Sequence, residues 1–293
     1  MNNRRSRYRL FGVFALAALV LTSLSLPFSS LAADKLKPEE IVAKHLESIG
    51  TAEARAKVQN RVEGGDVAVV LRSPGVAQFD GQAVLASEGN KNVMAFTFAN
   101  ADYSQERFGY DGKDVTVGYA SAGRRSNFAD FVLTHKVLLK EGLMGGALSG
   151  SWALLNLAER KAKLDGGGLK KIDGKEMYAL KYQPKSNADL DVTLFFDAVT
   201  FQHVRSEYVR VINSQIGLSV DQSAKQSTTR YKMVEEFSDF KAEEGLTLPH
   251  TYKITLELDT RGGTYNGTWN VTINQVAYNQ PIEPQSFNVG ATK

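Results

Sequence analysis

The chain contains no cysteine, which removes structural disulfides, thiolate zinc sites and thiol nucleophiles together. The lipidated N-terminal cysteine of an anchored lipoprotein is excluded with them. Histidine is scarce: His45, His135, His203 and His250 are the four present, and none forms a close ligand pair such as H-x-x-x-H. Satisfied or solvated histidines are therefore expected, with no metal and no cofactor. No G-x-S-x-G, P-loop or dinucleotide fingerprint occurs. The seven prolines are scattered, and no Pro-rich or Ser-rich linker divides the chain, so one domain over residues 34–293 is expected.

The first 33 residues carry a different pattern. Arg4, Arg5, Arg7 and Arg9 precede an apolar run over residues 10–26, and Ser30-Leu31-Ala32 supplies the small-x-small pattern of a signal-peptidase site. The run, interrupted by Gly12, Thr22, Ser23 and Ser25, is shorter than the roughly 20 apolar residues of a spanning helix. A cleaved bacterial-type signal peptide over residues 1–33 is expected, and hence a soluble protein in the periplasm, with an uncleaved N-terminal anchor as the alternative. The formal charge of +3 belongs to this segment: without its four arginines, 31 Lys and Arg face 32 Asp and Glu. No concentrated basic surface remains for nucleic acid, which is not expected as a partner.

Beyond the leader the pattern is that of a helix and then a long series of strands. Pro38 suits a first-turn position, Glu39 and Glu40 favour the helix N-terminus, and Ile41, Leu46 and Ile49 share one side before Gly50. A short helix over residues 52–58 is predicted behind Thr51 as N-cap. From Arg61 the period becomes two. Met94, Phe96 and Phe98, then Phe108 and Tyr110, then Val115, Val117 and Tyr119 alternate with smaller or polar residues across an Asp111-Gly112 turn. Tyr178, Leu180 and Tyr182 come after the Asp173-Gly174 turn, Leu190, Val192, Leu194 and Phe196 lead to a return strand with Val204, Tyr208 and Ile212, and Tyr252, Ile254, Leu256 and Leu258 face Trp269, Val271 and Ile273 across Gly262-Gly263. The fold class is mainly β with some α: one large curved antiparallel sheet with an apolar and a wet face.

The middle of the chain breaks this pattern. Ser126 caps a predicted helix whose residues Phe128, Phe131, Val132, Leu138 and Leu139 form one stripe. Residues 143–150, with four glycines or serines among Leu, Met and Ala, lead to Trp152, Leu154, Leu155 and Leu157. So apolar a stretch belongs over the hydrophobic concavity of the sheet. Its glycines make a loose lid the expectation, with a plain core helix and glycine turn as the alternative.

The arrangement resembles the LolA-like outer-membrane lipoprotein-sorting proteins and their receptor and periplasmic stress-sensor relatives. The resemblance rests on Pro38-Glu39-Glu40-Ile41-Val42-Ala43-Lys44-His45-Leu46-Glu47-Ser48-Ile49-Gly50, on the Tyr110-Asp111-Gly112-Lys113 and Ile172-Asp173-Gly174-Lys175 hairpins, on Phe196-Asp197 with Thr200 before Val204-Arg205-Ser206-Glu207, and on Phe240 with Gly245-Leu246-Thr247-Leu248-Pro249. It implies an unclosed antiparallel β-barrel of about eleven strands, its concave face covered by helices and a movable lid. The implied ligand is an acyl chain of a lipid or lipoprotein, and the implied partner an envelope transport or receptor protein. These are scaffold signatures, and no ligand-contact residue is carried over from the family.

On this reading Met94, Phe96, Phe98, Phe108, Phe128, Phe131, Leu148, Trp152, Tyr178, Tyr182, Leu194 and Phe196 line a lipid trough and its lid; in any β protein the same residues would be core. Burying about 16 methylenes offers on the order of 12 kcal/mol before ordering costs. A sensor or scaffold that binds an envelope protein is the alternative. A secreted hydrolase of envelope lipids or glycans has only the S-x-x-K spacing of Ser238 and Lys241 behind it, without a K-T-G partner motif, so a non-enzymatic role is expected.

Overall fold

The computed structural model describes residues 36–186, 189–212, 229–260 and 262–290. The expected leader lies outside the described residues.

Among the described residues, twelve strands form where side chains alternate. They are β1 (Asn60–Ser73), β2 (Gly75–Glu88), β3 (Lys91–Phe98), β4 (Gln105–Tyr110), β5 (Val115–Val117), β6 (Lys163–Ile172), β7 (Lys175–Gln183), β8 (Asp191–Asp197), β9 (His203–Ile212), β10 (Thr229–Glu243), β11 (Leu246–Thr260) and β12 (Gly263–Tyr278). They make a single sheet in the order β5-β4-β3-β2-β1-β12-β11-β10-β9-β8-β7-β6, every neighbour antiparallel. The end strands β5 and β6 are not paired with each other, so the sheet is an unclosed barrel, with twelve strands where about eleven were expected.

Among the described residues five helices accompany it: α1 (Pro38–Ile49), α2 (Ala52–Ala56), α3 (Asn127–Thr134), α4 (Val137–Lys140) and α5 (Leu157–Arg160). Pro38 opens α1, whose Ile41, Val42, His45 and Ile49 are buried, and the Thr51 hydroxyl accepts the Ala54 N–H at the start of α2. α2 stops two residues short of the expected end, because the chain is drawn toward β1, the Gln59 N–H just ahead of that strand donating to Asn279 Oδ1. The single helix expected after Ser126 is two. His135 leaves the helical region (φ −109°, ψ 58°) after its N–H closes on Phe131 O, and its ring rests on Phe131.

β9 also departs from the simple alternation. An irregularity between Phe195 and Phe196 of β8 pairs Phe196 with His203. His203, Ser206 and Tyr208 then face inward, and Val204 packs outside with Met177, Ala179, Phe195 and Ile172. The rest of the apolar face forms one cluster running from Ile41 to Tyr278.

The chain between β5 and β6 must travel from one sheet edge to the other, and it does so across the concave face as α3, α4, a short 3-10 turn (Gly146–Leu148) and α5. Gly142 makes the sharp reversal in this crossing. Its φ is +61°, its carbonyl accepts the Ala153 N–H, and a Cβ there would run into the Ser151 carbonyl oxygen. Gly142→Ala should therefore lower stability by about 1–3 kcal/mol. Gly168→Ala, on β6 with open space around it, should stay within about 0.5 kcal/mol of wild type. Urea unfolding of both variants makes the comparison.

Candidate functional site

Residues 143–154 occupy the concavity. Leu143, Leu148, Trp152 and Ala153 have no exposed surface, and Met144, Ala147 and Leu154 retain at most 5%. The loose lid expected from the glycines is instead a closely seated plug. It has little secondary structure of its own: Met144 and Leu143 N–H groups both turn back to Leu138 O, and Leu148 N–H to Gly145 O. Gly146 (φ +50°) lies so near β9 that a Cβ would sit 2.6 Å from His203 Nδ1.

An irregular segment sealed from water needs partners for its backbone groups, and the sheet supplies them. Arg61 Nη1 donates to Ala147 O (2.8 Å), Gly150 N–H to Ser87 Oγ (2.7 Å), and Asn92 Nδ2 to both Leu139 O (3.0 Å) and Ser151 Oγ (3.1 Å). The Trp152 indole N–H donates to His45 Nε2 (2.9 Å), while His45 Nδ1 donates to Phe201 O (3.1 Å). That pair of bonds requires neutral His45, and burial accordingly lowers its pKa to about 4. Trp152 also stacks on His203, whose Nε2 lies 2.9 Å from Ser206 Oγ.

Glu235 ties the plug most tightly. Its Oε1 accepts the Gly145 N–H (2.8 Å) and the Tyr252 hydroxyl, and its Oε2 lies 2.6 Å from Tyr208 Oη. Tyr208 Oη is also 3.0 Å from Leu143 O, so a single hydroxyl proton faces two acceptors. A protonated Glu235 resolves the conflict by donating to Tyr208, which then donates to Leu143. Burial raises the Glu235 pKa in that direction, against the three hydrogen bonds.

Two more carboxyls are sealed inside. Burial raises Glu63 to about 8, although Arg61 Nε is 3.5 Å from its Oε1. Glu106 is raised to about 7, again by burial, while it accepts from the Tyr103 hydroxyl (2.6 Å).

All twelve residues named as trough or lid residues are buried in one cluster. Met94, Phe96, Phe98 and Phe108 come from β3 and β4, Tyr178, Tyr182, Leu194 and Phe196 from β7 and β8, Phe128 and Phe131 from α3, and Leu148 and Trp152 from the plug. The plug fills the space between them, leaving about 20 Å³ beside Met94, Met144 and Glu63. Larger clefts open outside it, one of about 300 Å³ bordered by Ala147, Gly150 and Arg61 and one of about 480 Å³ bordered by Tyr103 and Arg125. Ser238 and Lys241 are not brought together as a catalytic pair. Ser238 is exposed on β10, and Lys241 pairs with Asp239 at 2.8 Å. Asp111 and Asp197 sit in turns, accepting the N–H groups of Lys113 and Asp114, and of Val199 and Thr200.

The inward polar residues were missed by a search for motifs, yet strand phase marks several of them. Glu235 falls between Met233 and Phe237 on the inner face of β10, and Glu106 is in phase with Phe108 and Tyr110 on β4. A carboxylate at an inward position is the signal.

Comparison with solved structures finds similarity to a LolA superfamily protein from Nitrosomonas europaea (15% identity over 86% of this chain and 98% of that one, TM-score 0.45). Similarity extends to a DUF1329 family protein from Desulfovibrio piger (11%, 87% and 98%, TM-score 0.47) and to a domain named for outer membrane lipoprotein sorting from Vibrio parahaemolyticus (13%, 84% and 97%, TM-score 0.41). No family model and no curated protein matches the chain.

The buried carboxyls make stability depend on pH. Glu63, at about 8, and Glu106, at about 7, keep protons in the folded state that the unfolded chain loses near pH 4.5. Stability therefore falls as pH rises through that window. His45, at about 4 when folded, acts oppositely between about 4 and 6.5, so above pH 6.5 the carboxyls alone set the slope. The melting temperature should drop between pH 6.5 and 8, and Glu63→Gln should flatten the drop; an unchanged slope in that variant would show that Glu63 is already ionised.

Proposed function

We propose that the protein is a periplasmic carrier that takes an acyl chain of a lipid or lipoprotein into the concave face by displacing residues 143–154. The observation that supports this is the character of the plug: apolar in its large buried side chains, with Ser149 and Ser151 the small polar ones, almost without secondary structure, and held by bonds to the sheet and to α1. It occupies the trough as a lipid would.

The magnitudes suit reversible exchange. Leu143, Met144, Leu148, Trp152 and Leu154 are the large plug side chains; at about 2 kcal/mol each, exposing them costs on the order of 10 kcal/mol. An acyl chain of about 16 carbons returns on the order of 12 kcal/mol. The difference is small enough for cargo to pass to a better acceptor, with open and closed forms as the two populations.

Protein purified gently from its host should yield acyl chains by mass spectrometry. Trp152, shielded in the closed form, should become quenchable by iodide when a fatty acid binds, with Trp269→Phe assigning the signal. Repeated recovery of ligand-free protein without lipid uptake would sink the carrier reading, and uptake with Trp152 still shielded would sink displacement. An envelope protein retained regardless of lipid would favour the scaffold reading instead. Tyr208→Phe, which frees the Leu143 carbonyl, should cost about 1–2 kcal/mol of stability and speed fatty-acid uptake in stopped-flow fluorescence.

A further inference from the structure

The cleft of about 300 Å³ beside the plug has a one-sided charge. Arg55 and Arg61 line it, and no carboxylate does. Arg61 is 3% exposed, and its Nε has no hydrogen-bond partner among the described residues. Glu63, behind it, does little to neutralise it near neutral pH, because burial holds that carboxyl at about 8. Arg55 is fixed by Nη1, which donates to the carbonyls of Leu46 and Gly50 at the end of α1. A guanidinium has five N–H donors, so Arg55 is positioned with most of its fork still to offer.

The remaining wall is amphipathic. Ile49, Leu155 and Leu246 contribute apolar surface, and Gln59 and Asn156 are exposed at the border. The larger cleft near Tyr103 also has two arginines, Arg124 and Arg125, but Asp102 shares its lining.

We propose that the cleft receives the anionic end of an amphiphile, a phosphate or carboxylate held by Arg55 and Arg61 with the first carbons of its tail on Ile49, Leu155 and Leu246. Charge-assisted, forked hydrogen bonds are the strongest available to such a group, and arginine matches its geometry. The volume is at the small end for ligand pockets, sufficient for a head and a short stretch of tail. Ala147 and Gly150 of the plug form part of the same wall, so a longer tail continues into the space the plug vacates. In this respect the inference rests on the carrier reading.

Calorimetry on the mature protein with decyl phosphate, decanol and inorganic phosphate, below micelle-forming concentrations, tests it. Decyl phosphate should bind at least about tenfold tighter than decanol, lose affinity as salt is raised, and bind far tighter than inorganic phosphate. The double variant Gln59→Glu, Asn156→Asp places two negative charges at exposed border positions. It should weaken decyl phosphate about tenfold, leave decanol binding unchanged and keep the wild-type melting temperature. Arg61→Gln should act in the same direction, and because Arg61 is buried the border variant carries the test if that protein fails to fold. Equal affinity for decanol and decyl phosphate, or no effect of the border charges, overturns the anion site while the carrier reading stands. Inorganic phosphate binding as tightly as decyl phosphate identifies a free-anion site and overturns the amphiphile. Failure of both decyl compounds to bind overturns the carrier reading and this proposal with it.

Discussion

The ladder between β1 and β12 is the connection on which the rest of the molecule depends. It runs from Arg61 opposite Tyr278 to Arg72 opposite Asn266 and joins the first and last strands of the chain. All other strand pairs are sequence neighbours, so without this ladder the sheet would be two separate meanders. Closing a loop of about 200 residues costs roughly 5 kcal/mol beyond a constant, a cost met by hydrogen bonds along the whole length of two long strands. The ladder also decides where the free edges go. With β1 and β12 joined, the edges are β5 and β6, and the chain linking them has to pass over the concave face.

That crossing explains the polar interior. A helix satisfies its own backbone, but residues 143–154 are mostly irregular and depend on Arg61, Ser87, Asn92 and Glu235 from the sheet. The same side chains would be costly in an oily cavity without the plug opposite them. Removing the plug therefore exposes apolar surface and leaves sheet donors and acceptors to be met by water or by the polar part of a ligand. The trough is chemically mixed, and the apolar face expected from strand alternation describes only part of it.

Much of this was legible in the sequence because it is local. Met94, Phe96 and Phe98 on β3 and the facing of Ile254 with Trp269 come from period-two patterning, and α1 from Pro38, its acidic first turn and its buried stripe. The failures have local physical causes as well. One irregular pair at Phe196 and His203 turns Val204 outward, and one residue, His135, divides a helix whose stripe reads as continuous. The site was less legible because its contacts span the chain: Arg61 reaches Ala147 across 86 positions and His45 reaches Trp152 across 107. Spacing motifs carry no trace of such pairs, although the in-phase Glu235 was a local warning.

An open barrel leaves two strand edges on which another chain could build. β5 is only three residues long, and the C-terminal segment crosses beside it, with the Val289 N–H donating to Thr116 Oγ1. β6 interrupts its register between Gly166 and Gly168 and carries Lys163, Lys170 and Lys171. A bulge and a row of lysines are poor templates for edge-to-edge growth. The two edges that the plug segment connects can thus stay unpaired without seeding polymerisation.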